Sequence, residues 1–246
     1  MADAFPNAAA RTVEAVLLDL GGVFYLPDHE RMRVALARLG IEADPDELDR
    51  AHYLGVAGIE AHLAAIPDDT HHGHRVWFAY NRSYAEAVGV GEDRFEHAMA
   101  ILLEEFGRGG VWTREIPGAR DALRAIAATG VKLAIVSNAD GTVEQQLLDD
   151  GICQVGPGRG VEVEAVLDST VVGVAKPDPA IFHLAPGRLD VPADRAIHVG
   201  DMPAADVAGA RAAGVRPVLV DPYGHHGHLD CDRVGSLAEI PALLGA

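Results

Sequence analysis

Five side chains spread along this 246-residue chain carry most of the chemistry open to it: Asp19, Ser137, Lys176, Asp201 and Asp206. Asp19 ends the apolar run VEAVLLD, Ser137 sits near the end of VKLAIVSN, and Asp201 closes RAIHVGD with Asp206 five residues further on. Lys176 lies in the loop GVAKPDPAIF. A formal charge of −17 does not exclude an anionic ligand for such a set, because a few local cations, a metal ion and backbone N–H groups can outweigh the distant field. Each residue also has a plainer reading. Ser137 could cap a helix, Lys176 could be a solvated loop cation, and Asp19, Asp201 and Asp206 could be turn or cap residues. Singly the plain readings prevail; jointly, in this order at one sheet edge, the five are hard to explain by chance.

The elements that must position them follow from the apolar pattern. Val13 to Val23 reads as a buried parallel strand that delivers Asp19 to the carboxyl edge of a sheet, where open α/β folds bind their ligands. Gly21 and Gly22 then let the chain turn tightly and approach a bound group. A helical block follows. Asp28 caps a first helix bearing Met32, Leu36 and Leu39 and closed by Gly40; Asp44 with Pro45 starts a second; Ile59 to Ala65 forms a third. Trp77, Tyr80 and Tyr84 share one helix face, as do Phe95, Met99, Leu102 and Phe106 on the next. No strand pattern appears in this block.

From about Trp112 strands and helices alternate. Pro117 to Gly130 and Gly141 to Leu148 read as helices, VKLAIVSN, VEVEAVLDS, RAIHVGD and VRPVLVD as strands, and PAADVAGARAAG as a helix opened by Pro203 and closed by Gly214. Asp178 caps a further helix with Pro179 at its first position, which fixes where Lys176 points. SLAEIPALL is a last helix, and the glycine-rich stretch Gly151 to Gly160 reads as a loop. The alternation implies a doubly wound parallel α/β sheet with right-handed crossovers and an inserted α-helical domain. The expected division is a loose tail at 1–11, a core of 12–25 and 112–246, and a helical insertion at 26–111.

A net charge of −17 argues against a nucleic-acid or anionic-membrane surface, which needs a basic footprint. No segment approaches a membrane span or a signal peptide, and two cysteines make no disulfide framework, so the expected compartment is the cytoplasm. Oligomeric state stays open between monomer and homodimer.

DLGGV at 19–23, VSN at 136–138, KPDPAIF at 176–182 and GDMPAAD at 200–206 together resemble the four motifs of the haloacid dehalogenase-like hydrolase superfamily. The helical block resembles the small cap of its phosphatase-rich branch. The resemblance implies a Rossmann-like core and an Asp19 that attacks a phosphoryl group to form a phospho-aspartate, which water then cleaves; a carboxylate needs no deprotonation for this. It implies Mg²⁺ held by Asp19, the backbone carbonyl of Gly21 and Asp201, with Asp206 coordinating through water or orienting its neighbours. Ser137 would donate to a phosphoryl oxygen, Lys176 would neutralise transition-state charge, and Gly22 and Asn138 would help to bind substrate, Asn138 having a capping role as its equal alternative. The implied ligand is a small phosphorylated metabolite.

One position departs from the family. Its phosphatases usually carry a second aspartate two residues after the nucleophile, as general acid; here that position is Gly21. Losing such a group costs about 10²- to 10⁴-fold when the leaving group is poor. Three readings follow. The first is a phosphatase for good leaving groups such as sugar 1-phosphates, acyl phosphates or anhydrides, as in some similar sugar-phosphate phosphatases with glycine here. In the second, His29, His52, His62 or water supplies the proton to an alkyl phosphate. The third is a catalytically weak protein that binds phosphate or a partner. A haloacid dehalogenase ranks behind these, because those relatives lack the GD motif and need no metal. The HHGH runs at 71–74 and 225–228, the latter near Asp230 and Cys231, match no recognised zinc spacing and read as solvated loops.

Overall fold

The strand that ends at Asp19 is the centre of the molecule. In the computed structural model, which describes residues 12–67, 69 and 73–244, β1 (Ala15–Leu18) is buried along its whole length. The tail at 1–11 and His71 and His72 lie outside the described residues.

The chain then runs through β2 (Tyr25–Pro27), α1 (His29–Ala37), α2 (Pro45–Ala65), α3 (His74–Ala87), α4 (Phe95–Gly107) and β3 (Trp112–Glu115). It continues through α5 (Ala119–Ala128), β4 (Lys132–Ser137), α6 (Val143–Asp149), β5 (Cys153–Val155), β6 (Val161–Val163), β7 (Ala165–Asp168), α7 (Ser169–Val172) and α8 (Pro179–Leu189). Last come β8 (Ala196–Gly200), a π-helical turn at Pro203–Val207 leading into α9 (Ala208–Ala212), β9 (Arg216–Val220), β10 (Asp232–Val234) and α10 (Ile240–Leu243).

Six strands form one sheet in the order β10-β9-β8-β1-β4-β7, and every neighbouring pair is parallel. Side chains alternate across it. Val16 and Leu18 face a layer that includes Leu123, Ile126 and Leu147. Ala15 and Leu17 face the opposite layer, with Ile181, Phe182 and Ala210. Burial on both faces is why these strands read as continuous apolar runs. A third cluster, including Met32, Leu36, Leu48, Ile59, Tyr80, Tyr84 and Leu102, packs the four helices between β2 and β3 against each other. Among the described residues no helix is long and apolar enough to cross a membrane.

Four local expectations need correction. The third expected helix, Ile59 to Ala65, is the end of one 21-residue α2 that opens on a complete Asp44–Glu47 capping box. Gly55 and Gly58 inside it are close-approach positions rather than breakers: a Cβ on Gly55 would lie 2.6 Å from the Tyr80 ring, and one on Gly58 would overlap Ser83. The expected strand VEVEAVLDS divides at Glu164. There the carboxylate accepts from Leu133 N at 2.8 Å, so only β7 joins the main sheet and β6 pairs with β5.

The stretch from Gly151 to Gly160 is likewise not plain loop, because it contains β5 and folds around the Gln154 amide, which donates to Gly156 O and accepts from Gly160 N. Finally, β2 and β3 form an antiparallel pair where the helical block leaves the core, and β10 adds an edge strand. These strands are three or four residues long, too short to show a period in sequence.

Candidate active site

β1, β4 and β8 are adjacent and parallel, so their carboxyl ends open on one edge and bring together Asp19, Ser137 and Asp201. Lys176 reaches the same point from the loop before α8. Its Nζ lies 2.8 Å from Asp19 Oδ2 and 2.7 Å from Asp206 Oδ1, and the residue is 1 % exposed. Asn138 clamps that loop, accepting from Lys176 N at 2.8 Å and donating to Lys176 O at 2.9 Å. Asp178 accepts from Ala180 N as the cap of α8, with Pro179 behind it, as the sequence implied.

Charge is tightly packed here. Asp19, Asp201 and Asp206 each offer an oxygen within 4.8 Å of the others, and all three are buried. Burial lowers the affinity of Lys176 for its proton, but the Asp19 and Asp206 carboxylates outweigh that and hold its pKa above the ordinary value. Burial also pushes the Asp206 carboxyl up, yet Lys176 and His198 overcome it and leave its pKa well below the usual carboxylate range. His198 Nε2 donates to Asp206 Oδ1 at 2.9 Å. Asp201 has no such ammonium, and burial raises its pKa despite a 2.9 Å hydrogen bond from His52 Nε2. His52 in turn accepts from Tyr80 Oη at Nδ1, 3.0 Å away.

Two glycines make this packing possible. A Cβ on Gly200 would overlap Asp206, and one on Gly22 would overlap Asp201. Gly22 also has φ +66°, which a residue with a side chain rarely adopts. Gly22 is therefore not placed as a substrate contact: its N–H donates to Tyr25 O at 2.9 Å, its carbonyl accepts from Tyr53 Oη at 2.8 Å, and it does not line the cavity over Asp19. Gly21 does line that cavity.

The cavity measures about 470 Å³ and exposes Asp19, Ser137, Asn138, Lys176, Asp201 and Asp206 on its floor. Of the three candidate histidines it includes His52. His29 pairs with Asp49 and His62 with Asp69, both at 2.7 Å and away from the cavity. Trp77 and Tyr80 line the wall, whereas Tyr84 is core. Sequence reasoning missed His198, Tyr53 and Glu60. The signal for His198 was a lone histidine inside the apolar strand AIHVG; Tyr53 and Glu60 reach the sheet edge through tertiary packing that no local pattern announces. Glu60 Oε1 accepts from Ala204 N at 2.9 Å. Among the described residues, the group of His, Cys, Asp and Glu side chains able to share one ion is Asp19, Asp201 and Asp206; the run at 225–228 forms none, and Asp221 there accepts from His225 N and His226 N.

Three buried carboxyl groups cluster here with one ammonium, which pairs with Asp19 and Asp206 and leaves Asp201 to be balanced, and their donors are all oxygen. That set fits a hard divalent cation such as Mg²⁺.

A family model described as haloacid dehalogenase-like hydrolase matches residues 13–214. The phosphoserine phosphatase of Thermus thermophilus is 32 % identical over 184 residues, covering 67 % of this chain and 71 % of that enzyme. The phosphoglycolate phosphatase of Pseudomonas fluorescens is 31 % identical over 132 residues, covering 54 % and 46 %. Beyond the Thermus enzyme, the chain spans about half the length of the curated relatives it matches. Among solved structures, a HAD phosphatase from Thermococcus onnurineus superposes with a TM-score of 0.55 at 21 % identity, covering 95 % of this chain and 98 % of that one, a likeness of fold. The chain belongs to the haloacid dehalogenase-like hydrolase family.

Proposed function

We propose that this hydrolase is a Mg²⁺-dependent phosphatase of the cytoplasm that releases phosphate from a small phosphorylated metabolite through a phospho-aspartate on Asp19. The observation that carries the reading is the Lys176 ammonium held 2.8 Å from Asp19 and 2.7 Å from Asp206 on the floor of the cavity. Asp19, the Gly21 carbonyl and Asp201 would hold the ion, with Asp206 orienting its neighbours. When bound, the ion supplies the positive charge that lets an anionic phosphoryl group approach an anionic nucleophile.

Asp19 attacks phosphorus, the ester oxygen leaves with the bonding electrons, and water then cleaves the acyl phosphate and restores the carboxylate. Ser137 donates to a phosphoryl oxygen, and Lys176 balances the charge spread over those oxygens. Asn138 fixes Lys176 through both its main-chain groups. The helices at 26–111 form the lid that excludes water. With Gly21 in place of a general acid, substrates with stable leaving groups turn over best. In the second reading, turnover of an alkyl phosphate, the proton comes from water, because His52, the candidate histidine that lines the cavity, has both ring nitrogens engaged by Asp201 and Tyr80.

The test is phosphate release from a panel of phosphorylated metabolites with Mg²⁺ present and absent, for the native chain and for Asp19→Asn. The native chain should release phosphate only with the metal, and the variant should stay folded and lose the activity. Halide release from 2-haloacids without metal, and no phosphate release, would overturn the reading.

A further inference from the structure

The wall of the cavity differs in kind from its floor. Its helical side is built from Val56, Ile59, Trp77, Tyr80 and Phe106, and Trp112 of β3 also lines it. The rings interlock edge to face: Trp77 and Tyr80 have centroids 5.5 Å apart at 69°, and Tyr80 and Phe106 5.2 Å apart at 85°. His52 meets Trp112 at 5.2 Å and 80°.

That wall offers little to a polar group; the polar lining residues Ser137, Asn138, Asp140, Thr142, Gln146 and Ser169 all belong to the core side. Tyr80 Oη and both nitrogens of His52 are engaged with each other and with Asp201. Among the described residues that line the cavity the ammonium is that of Lys176, already held between two carboxylates, and none is an arginine. A leaving group bearing a carboxylate or second phosphate would lose its water there and meet no counter-charge. A sugar turned towards that wall would leave the hydroxyls facing it without partners.

Building on the phosphatase reading, we propose that the substrates of this site are phosphate monoesters of phenols that carry no second charge. A flat ring buries apolar surface against Trp77 and Phe106 and meets them in the tilted geometry aromatic pairs prefer. Gly21 points to the same class independently. A phenolate, whose conjugate acid has a pKa of about 10 as in tyrosine, departs without a proton from the protein. In the first step the bond from Asp19 to phosphorus forms as the bond from phosphorus to the aryl oxygen breaks, and the phenolate takes its proton from solvent. Water then completes the balance, giving a phenol and inorganic phosphate.

The experiment compares kcat/KM for phenyl phosphate, 2-phosphoglycolate and glucose 1-phosphate in Mg²⁺, for the native protein, Trp77→Ala and Trp77→Arg. Trp77 is partly exposed, and urea unfolding checks that both variants fold. The native protein should prefer phenyl phosphate by tenfold or more, as roughly one or two well-placed aromatic contacts provide. Trp77→Ala should shrink that preference, and Trp77→Arg should shift it towards phosphoglycolate. Equal or better use of phosphoglycolate or glucose 1-phosphate by the native protein would overturn the inference and leave the phosphatase reading standing, as would an unchanged preference in both variants. No metal-dependent phosphate release from any of the three would remove the phosphatase reading and the inference with it.

Discussion

His52 on α2 donates from Nε2 to Oδ2 of Asp201 on the sheet edge across 2.9 Å, and both residues are buried. The helical insertion thus touches the acidic floor directly. Tyr53 holds the Gly22 carbonyl and Glu60 holds the Ala204 amide, so one face of α2 rests on both sides of Asp201.

His52→Phe keeps a ring in the wall but leaves Asp201 and Tyr80 without their partner. Loss of a buried hydrogen bond to a carboxylate should cost about 1–3 kcal/mol, read from urea unfolding. With both ring nitrogens engaged, His52 acts by position, and His52→Gln should lower kcat for alkyl and aryl phosphates alike; a larger fall for alkyl phosphates would make it a proton donor.

Gly21→Asp restores the carboxylate that related phosphatases carry. The position has room, since a Cβ there meets nothing nearer than the Trp112 ring at 3.8 Å and 3.9 Å. Turnover of alkyl phosphates should rise by up to about 10²- to 10⁴-fold, and that of esters with good leaving groups far less. The same gain for both classes would defeat the leaving-group argument.

Gly22→Ala tests the packing of the acidic cluster. Its methyl would occupy the place of the Asp201 carboxylate, at a φ of +66° that alanine resists. Mg²⁺ should raise the melting temperature of the native chain, as a ligand of the folded state does, and the variant should lose that rise. A variant that melts and responds to Mg²⁺ like the native chain would mean that Asp201 does not need this position.

Burial pushes the Glu60 carboxyl up to about 7, with the Asp206 and Asp201 charges adding to the rise and the Ala204 hydrogen bond opposing it. The folded chain therefore keeps a proton that the unfolded chain gives up from the ordinary carboxylate range onward. Stability from this group falls as pH rises from there to about 7. Glu60→Gln retains an acceptor for Ala204 and does not titrate. Relative to the native chain it should gain stability between pH 5 and 8, measured by urea unfolding in chelator. Parallel curves would assign the slope to other groups.

The site was legible where strands deliver it. Asp19, Ser137 and Asp201 lie at the ends of apolar runs whose period and length mark buried parallel strands, and Lys176 is tied to a Pro-and-Asp cap with a readable geometry. What escaped has a common cause. β2, β3 and β10 are too short to carry a period. Gly55 and Gly58 look like interruptions until Tyr80 and Ser83 are seen lying against them. The floor's support from His52, Tyr53 and Glu60 comes from residues far away in the chain, so only tertiary contact reveals it.

The unbroken length of α2 has a mechanical consequence. Its three attachments at His52, Tyr53 and Glu60 sit on one continuous helix, so they are coupled through its backbone rather than independent. Loosening any one of the three therefore loads the other two, so strain introduced under one residue of the helix is shared along the whole acidic edge.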